Sequence, residues 1–203
     1  IEHRCAGSRM NMKKPPQLKL RRFFIRFESH VRPGDGGAQG PRDRLELRLH
    51  DVVRVAARDE VQMQAGSVPG TISSFFTYTG DAGTSSHYEV DIELMGGTNL
   101  LHTNVWIQGR QYPQDIDLGK YGISIWNMER YAFNIDEAGV TWQVFSRTQN
   151  KWVSVRRESR PVTSWMQTFV NNWISANPSF PPSSYNGQPV YAKYKYANVT
   201  PWE

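Results

Sequence analysis

From Thr71 onward the chain alternates apolar and polar residues in short runs, and no apolar stripe with a 3.6-residue period is long enough for a sustained helix. The run at 71–79 is rich in β-branched and aromatic residues and is bracketed by Gly70 and Gly80, the mark of a strand between turns. Similar runs follow at 88–95, 102–108, 121–126, 131–135, 141–146, 152–156, 165–174 and 190–199. Turn signals separate them, among them Gly96-Gly97, Gly109, Pro113, Gly139 and Pro161. Short strands at this spacing predict an all-β sandwich or barrel. Upstream the pattern weakens. Residues 21–27 and 45–49 read as edge strands, and the Gly/Pro-rich stretch 33–41 between them reads as a loop or linker.

The chain has 203 residues, enough for one domain with a real core. With 38% hydrophobic and 12% aromatic residues it is too apolar for a disordered chain, and no apolar run approaches the ~18 residues of a membrane span. Cys5 is alone, so a disulfide within the chain and a Cys-based metal site are both excluded. The net charge of +5 is unevenly spread: residues 1–60 carry 14 basic and 8 acidic groups, and the remainder 10 and 11. Every Trp and Tyr lies after residue 77, so the basic residues are not interleaved with stacking aromatics as a nucleic-acid surface requires. The chain begins at Ile1 without a visible signal peptide, which reads as a processed or truncated product. Asn198-Val199-Thr200 is an N-glycosylation sequon and hints at secretion.

The most informative segment is His87-Tyr88-Glu89-Val90-Asp91-Ile92-Glu93-Leu94-Met95. A strand sends alternate side chains to opposite faces, so Glu89, Asp91 and Glu93 share one face while Val90, Ile92 and Leu94 share the other. Three like charges on one face repel, and no basic residue intervenes between His87 and Leu101. The outer pair stands ~13 Å apart at Cα, a gap that two glutamates leaning inward can narrow towards the ~5–5.5 Å of a retaining glycosidase. At ~5 Å the repulsion is about 3 kcal/mol, which keeps one carboxyl protonated as an acid while the other stays ionised as a nucleophile. A calcium-binding or merely solvated acidic face fits this short pattern equally well.

The flanks add to it. Gly70-Thr-Ile-Ser-Ser-Phe-Phe-Thr-Tyr-Thr-Gly80, Glu89-Val-Asp-Ile-Glu93, Ser184-Tyr-Asn-Gly187 and Tyr191-Ala-Lys-Tyr194 occur in order. Together they resemble the family-sixteen glycoside hydrolases, most closely the lichenases (endo-β-1,3-1,4-glucanases), over about residues 60–200. The resemblance implies a jelly-roll β-sandwich of concanavalin A-like type, two curved antiparallel sheets with a sugar-binding groove. It implies a retaining endo-β-glucanase in which Glu89 is the nucleophile, Asp91 its helper and Glu93 the general acid/base. Substrate contacts are expected from Glu60, Gln62, Phe76, Tyr78, His87, Asn104, Trp106, Asn171 and Trp173. The same pattern serves cell-wall transglycosylases, and a carbohydrate-binding protein without turnover can be built on the same fold. The partner expected is a secreted enzyme's polysaccharide, met by a monomer with no cofactor, metal, nucleic acid or membrane.

Several positions depart from the family. Gln62 stands where the family has an arginine, His87 where lichenases have a tryptophan, and Tyr88 where an acidic residue is usual. Lys195 replaces the aspartate of the lichenase calcium site, and an ammonium group cannot ligate calcium, so that site is expected to be absent. Residues 1–59 do not match at all. They form an atypical basic segment, expected to be poorly ordered or to supply edge strands beside a catalytic domain at 60–203, and their composition is what a shifted reading frame or mis-joined exon would produce.

Overall fold

The computed structural model describes residues 23–30, 47–53, 57–175, 180, 184–186 and 188–201. Among them the strands in chain order are β1 (Phe23–His30), β2 (Leu47–Val53), β3 (Ala57–Gln64), β4 (Thr71–Thr79), β5 (Tyr88–Met95), β6 (Leu100–Ile107), β7 (Arg110–Gln111) and β8 (Gln114–Asp117). They continue as β9 (Glu129–Asp136), β10 (Gly139–Ser146), β11 (Lys151–Glu158), β12 (Met166–Ile174) and β13 (Tyr191–Pro201). Two antiparallel sheets result. One runs β1-β13-β3-β9-β10-β11; the other runs β2-β12-β4-β5-β6-β7, with β8 also paired to β6. β1 and β2 are edge strands, and β3 starts before residue 60, so the boundary expected there falls inside a strand. The stretch 33–41 lies outside the described residues.

Parity along each strand builds the core. Val61 and Met63 of β3, Tyr131, Phe133 and Ile135 of β9, and Trp142 of β10 point inward from one sheet. Phe75, Val90, Ile92, Leu94, Leu101 and Val105 meet them from the other, with the rings of Phe75 and Phe133 5.6 Å apart. Polar atoms of the first sheet also reach across. The Trp142 indole Nε1–H donates to the Asp91 carbonyl at 2.8 Å, and the buried Tyr194 hydroxyl lies 3.0 Å from the Ser74 carbonyl and 2.7 Å from that of Asn171. Burial pushes the Tyr194 phenol well above its ordinary pKa, so it remains a donor. Arg156 runs through the core edge with its guanidinium 4.4 Å from the Trp142 ring centroid, and it donates to the Thr103 carbonyl at 2.7 Å.

Residues 121–126, expected as a strand, are not one. The 3-10 helix Leu118–Tyr121 ends at Gly122, whose φ of 69° ends the turn in the left-handed region. Ile123 and Ile125 are then buried from a loop pinned by Asn99, whose side chain bonds the Ile123 carbonyl and the Ile125 N–H. Conversely, β7 and β8 are strands that the pattern did not announce. They are two and four residues long, polar, and separated by Pro113, and their hydrogen bonds come from the edge of β6.

One buried charge gives a pH prediction. Asp59 of β3 is fully buried between the sheets, with Oδ2 accepting from the Thr168 hydroxyl at 3.0 Å and Oδ1 without a hydrogen-bond partner among the described residues. Burial raises its pKa from 3.8 to about 7, and the Thr168 bond opposes this only in part. Between those two values the folded state holds a proton that the unfolded state has lost, so stability falls as pH rises from about 4 to 7 and levels off above. Asp59→Asn removes that slope. Urea midpoints at pH 4.5 and 8 should show the variant gaining on the wild type by a few kcal/mol across the interval, and parallel pH dependences would refute it.

Candidate active site

The site is built on the outer face of the seven-stranded sheet. With Val90, Ile92 and Leu94 of β5 in the core, Glu89, Asp91 and Glu93 point away from it. Register extends each carboxylate into a cross-strand row: Tyr78–Glu89–Trp106, Phe76–Asp91–Asn104 and Ser74–Glu93–His102. β12 adds Asn171 beside Ser74 and Trp173 beside Ile72, and β8 adds Asp115 beside His102. Over these rows lies a pocket of about 440 Å³. Glu89, Asp91 and Glu93 line it together with Asn104, Trp106 and Trp173. The two glutamates keep 20% and 15% of their side-chain surface exposed, whereas Asp91 is buried.

Each glutamate has its own polar surroundings. The Trp173 indole Nε1–H lies 3.2 Å from Ser74 Oγ, which in turn donates to Glu93 Oε1 at 3.4 Å. His102 Nε2 is 4.0 Å from Glu93 Oε2, and its Nδ1 is 2.5 Å from Asp115 Oδ1. The Phe180 ring stands edge-on to both His102 and Trp173 and walls this end of the pocket. At the other end His87 Nε2 lies 2.8 Å from Glu89 Oε2, and the His87 ring packs at 4.8 Å against Trp106. Two carboxyl groups on one floor, flanked by indoles, can act as nucleophile and proton donor towards a ring whose apolar face rests on an aromatic surface. Among the described residues no group of three or more His, Cys, Asp or Glu is placed to hold a metal ion.

The expected substrate contacts divide by position. Asn104, Trp106 and Trp173 line the pocket. Tyr78, Phe76 and Asn171 share the same face but stand back from it; Phe76 is only 2% exposed and forms a three-ring cluster with Tyr78 and Phe169. His87 is 3% exposed and touches Glu89 instead of the opening. Glu60 and Gln62 require a correction. They lie on β3 of the six-stranded sheet, and because Val61 and Met63 fill the core, their side chains emerge on the far side of the molecule. There Glu60 is held by Arg130 at 2.7 Å and by the Tyr196 hydroxyl, and Arg130 packs over Phe145 and Trp152. Burial, with Glu60 adding to it, pushes the Tyr196 phenol up to about 12. Gln62 donates weakly to the Met128 carbonyl at 3.4 Å. His102, Asp115 and Phe180 complete the pocket. His102 shares parity with Asn104 and Trp106, which puts it near the groove from sequence alone; Asp115 and Phe180 carry no such mark in the sequence.

A profile for "Glycosyl hydrolases family 16" matches residues 56–195. The beta-glucanase of Bacillus subtilis (strain 168) is 29% identical over 147 residues, which is 70% of this chain and 57% of that sequence. The beta-glucanase of Brevibacillus brevis is 29% identical over 164 residues, 77% of this chain and 60% of its own length. The chain thus spans less than two thirds of these relatives. Among solved structures, Bacillus licheniformis beta-glucanase superposes with a TM-score of 0.64 at 24% identity, covering 77% of this chain and 71% of the other. Crh5 transglycosylase in complex with NAG gives a TM-score of 0.57 at 19% identity, covering 85% and 78%. The jelly-roll β-sandwich is the fold common to all three.

Proposed function

Since the chain belongs to glycosyl hydrolase family 16, we propose that it cleaves internal linkages of a β-1,3-1,4-glucan or a related β-glucan, with retention of configuration. The observation that carries this reading is that Glu89, Asp91 and Glu93 share one face of β5 and line one pocket with Trp106 and Trp173. Glu89 attacks the anomeric carbon while Glu93 protonates the departing glycosidic oxygen. Glu93, now ionised, then takes a proton from water, which attacks the same carbon and frees Glu89. Asp91 lies between them and keeps the charge of the row shared. The pocket-lining indoles present flat apolar surface to the C–H faces of glucosyl rings. The matched relatives named beta-glucanase support this substrate class, and a polymeric substrate implies work outside the cell.

The test is reducing-end release from barley β-glucan, laminarin and xyloglucan in parallel, with the first product followed by proton NMR. Fastest release from the mixed-linkage glucan, with the β-anomer appearing first, is the expected result. Chain transfer to an added oligosaccharide without net hydrolysis would reassign the protein as a transglycosylase. Binding without any product would reduce it to a carbohydrate-binding protein.

A further inference from the structure

Glu89 is held by a neighbour with a defined tautomer. The Gly83 N–H points at His87 Nδ1 at 3.4 Å, so Nδ1 is the acceptor and the ring proton sits on Nε2. Nε2–H therefore donates to Glu89 Oε2 at 2.8 Å. The imidazole has little room to leave this position. It is almost fully buried, with Trp106 packed on its ring. Its backbone is tied at both ends: His87 N–H donates to the Thr84 carbonyl, and Gly109 N–H donates to the His87 carbonyl, each at 3.0 Å. The two turns that make these bonds approach too closely for any side chain at Gly109, where an added Cβ would lie 2.6 Å from the Thr84 carbonyl oxygen and φ is 77°.

We infer that His87 is the positioning residue of the nucleophile: it holds Glu89 Oε2, turns Oε1 towards the anomeric carbon, and assists departure of the carboxylate from the glycosyl enzyme. The inference rests on the double-displacement reading above. In the first step Glu89 Oε1 forms a bond to the anomeric carbon, the glycosidic C–O bond breaks, and the leaving oxygen takes the proton of Glu93. Oε2 becomes the carbonyl oxygen of the resulting ester and still accepts from Nε2–H. In the second step water adds to the anomeric carbon, its proton passes to Glu93, and the C–Oε1 bond breaks to return a full carboxylate. A hydrogen bond to a charged acceptor is stronger than one to a neutral ester. His87 thus favours the carboxylate over the ester, and its greatest effect falls on the second step. Without it the ester should accumulate.

The experiment uses a 2,4-dinitrophenyl β-glucan oligosaccharide, whose leaving group needs no proton, so that the second step limits turnover. His87→Leu should lower kcat roughly ten- to a hundredfold, the range of a hydrogen bond to a charged group. KM should fall with it, and a pre-steady-state burst of about one equivalent of dinitrophenol should appear. His87→Gln, whose amide N–H reaches in the same direction, should restore most of the rate. If His87→Leu does not fold, His87→Phe fills the same space against Trp106 and donates nothing. The inference is overturned if the apolar variant keeps kcat within about threefold of wild type, if kcat falls while KM holds or rises and no burst forms, or if glutamine is as slow as the apolar residue. A wild type that releases no dinitrophenol and cuts no glucan would instead overturn the hydrolase reading itself.

Discussion

Glu89→Gln is expected to abolish glucan hydrolysis, with a loss on the order of 10⁴-fold or more, because the proposed double displacement forms its covalent intermediate on Glu89. The amide keeps the size of the side chain and can still accept from His87, so the loss would be chemical and not structural. Glu89 shares its pocket with Asp91, Glu93 and Asp115, and removing one of four neighbouring carboxylates relieves repulsion. The variant should therefore melt at the same temperature as wild type or a little higher. Glu93→Gln should be equally inert on natural glucan but much less impaired on the dinitrophenyl substrate, which needs no proton donor. Reducing-sugar assays and dinitrophenol release separate these two patterns. Persistent glucan hydrolysis in Glu89→Gln would show that the nucleophile lies elsewhere.

Trp142→Ala is expected to be the most damaging core substitution. It empties the space of a fully buried indole, which costs about 3–5 kcal/mol, and deletes the hydrogen bond to the Asp91 carbonyl, which contributes about 1 kcal/mol more. Arg156 would lose the ring on which its guanidinium rests while keeping its bonds to Thr103. Trp142→Phe retains a ring but not the donor, so the difference between the two variants measures how much of the loss is volume. Urea denaturation reads both. A cost under about 1 kcal/mol for the alanine variant would mean that the sheets do not pack through this residue. The marginal stability of single domains makes the larger figure enough to unfold much of the population at 37 °C.

The sequence carried some of this plainly. The acidic row was legible because a strand has a period of two, and three acids at Glu89, Asp91 and Glu93 can share a face in only one way. Trp106 and Asn104 were legible for the same reason once β6 was set beside β5. Parity has a limit, however, and Glu60 and Gln62 mark it. Alternation tells which side chains avoid the core, but outward means the pocket on one sheet and the opposite surface on the other. Only the pairing of β3 with β9 and β13 decides between them. Residues 121–126 misled for a different reason. Tyr121, Ile123 and Ile125 have the spacing of a strand, yet Gly122 in the left-handed region and the Asn99 side chain bury the same isoleucines from a loop. Asp115 was invisible because β8 is too short and polar to stand out, and its place opposite His102 depends on register with β6.

The grip on the pocket floor comes from behind, at Asp91, Ser74 and Asn171, and what is gripped is the main-chain oxygen. Every amino acid brings that atom with it. These ties between the sheets accordingly do not depend on which side chains the strands carry there. At those three positions the tie between the two sheets is therefore a property of the strand path, indifferent to the identity of the residue that occupies it.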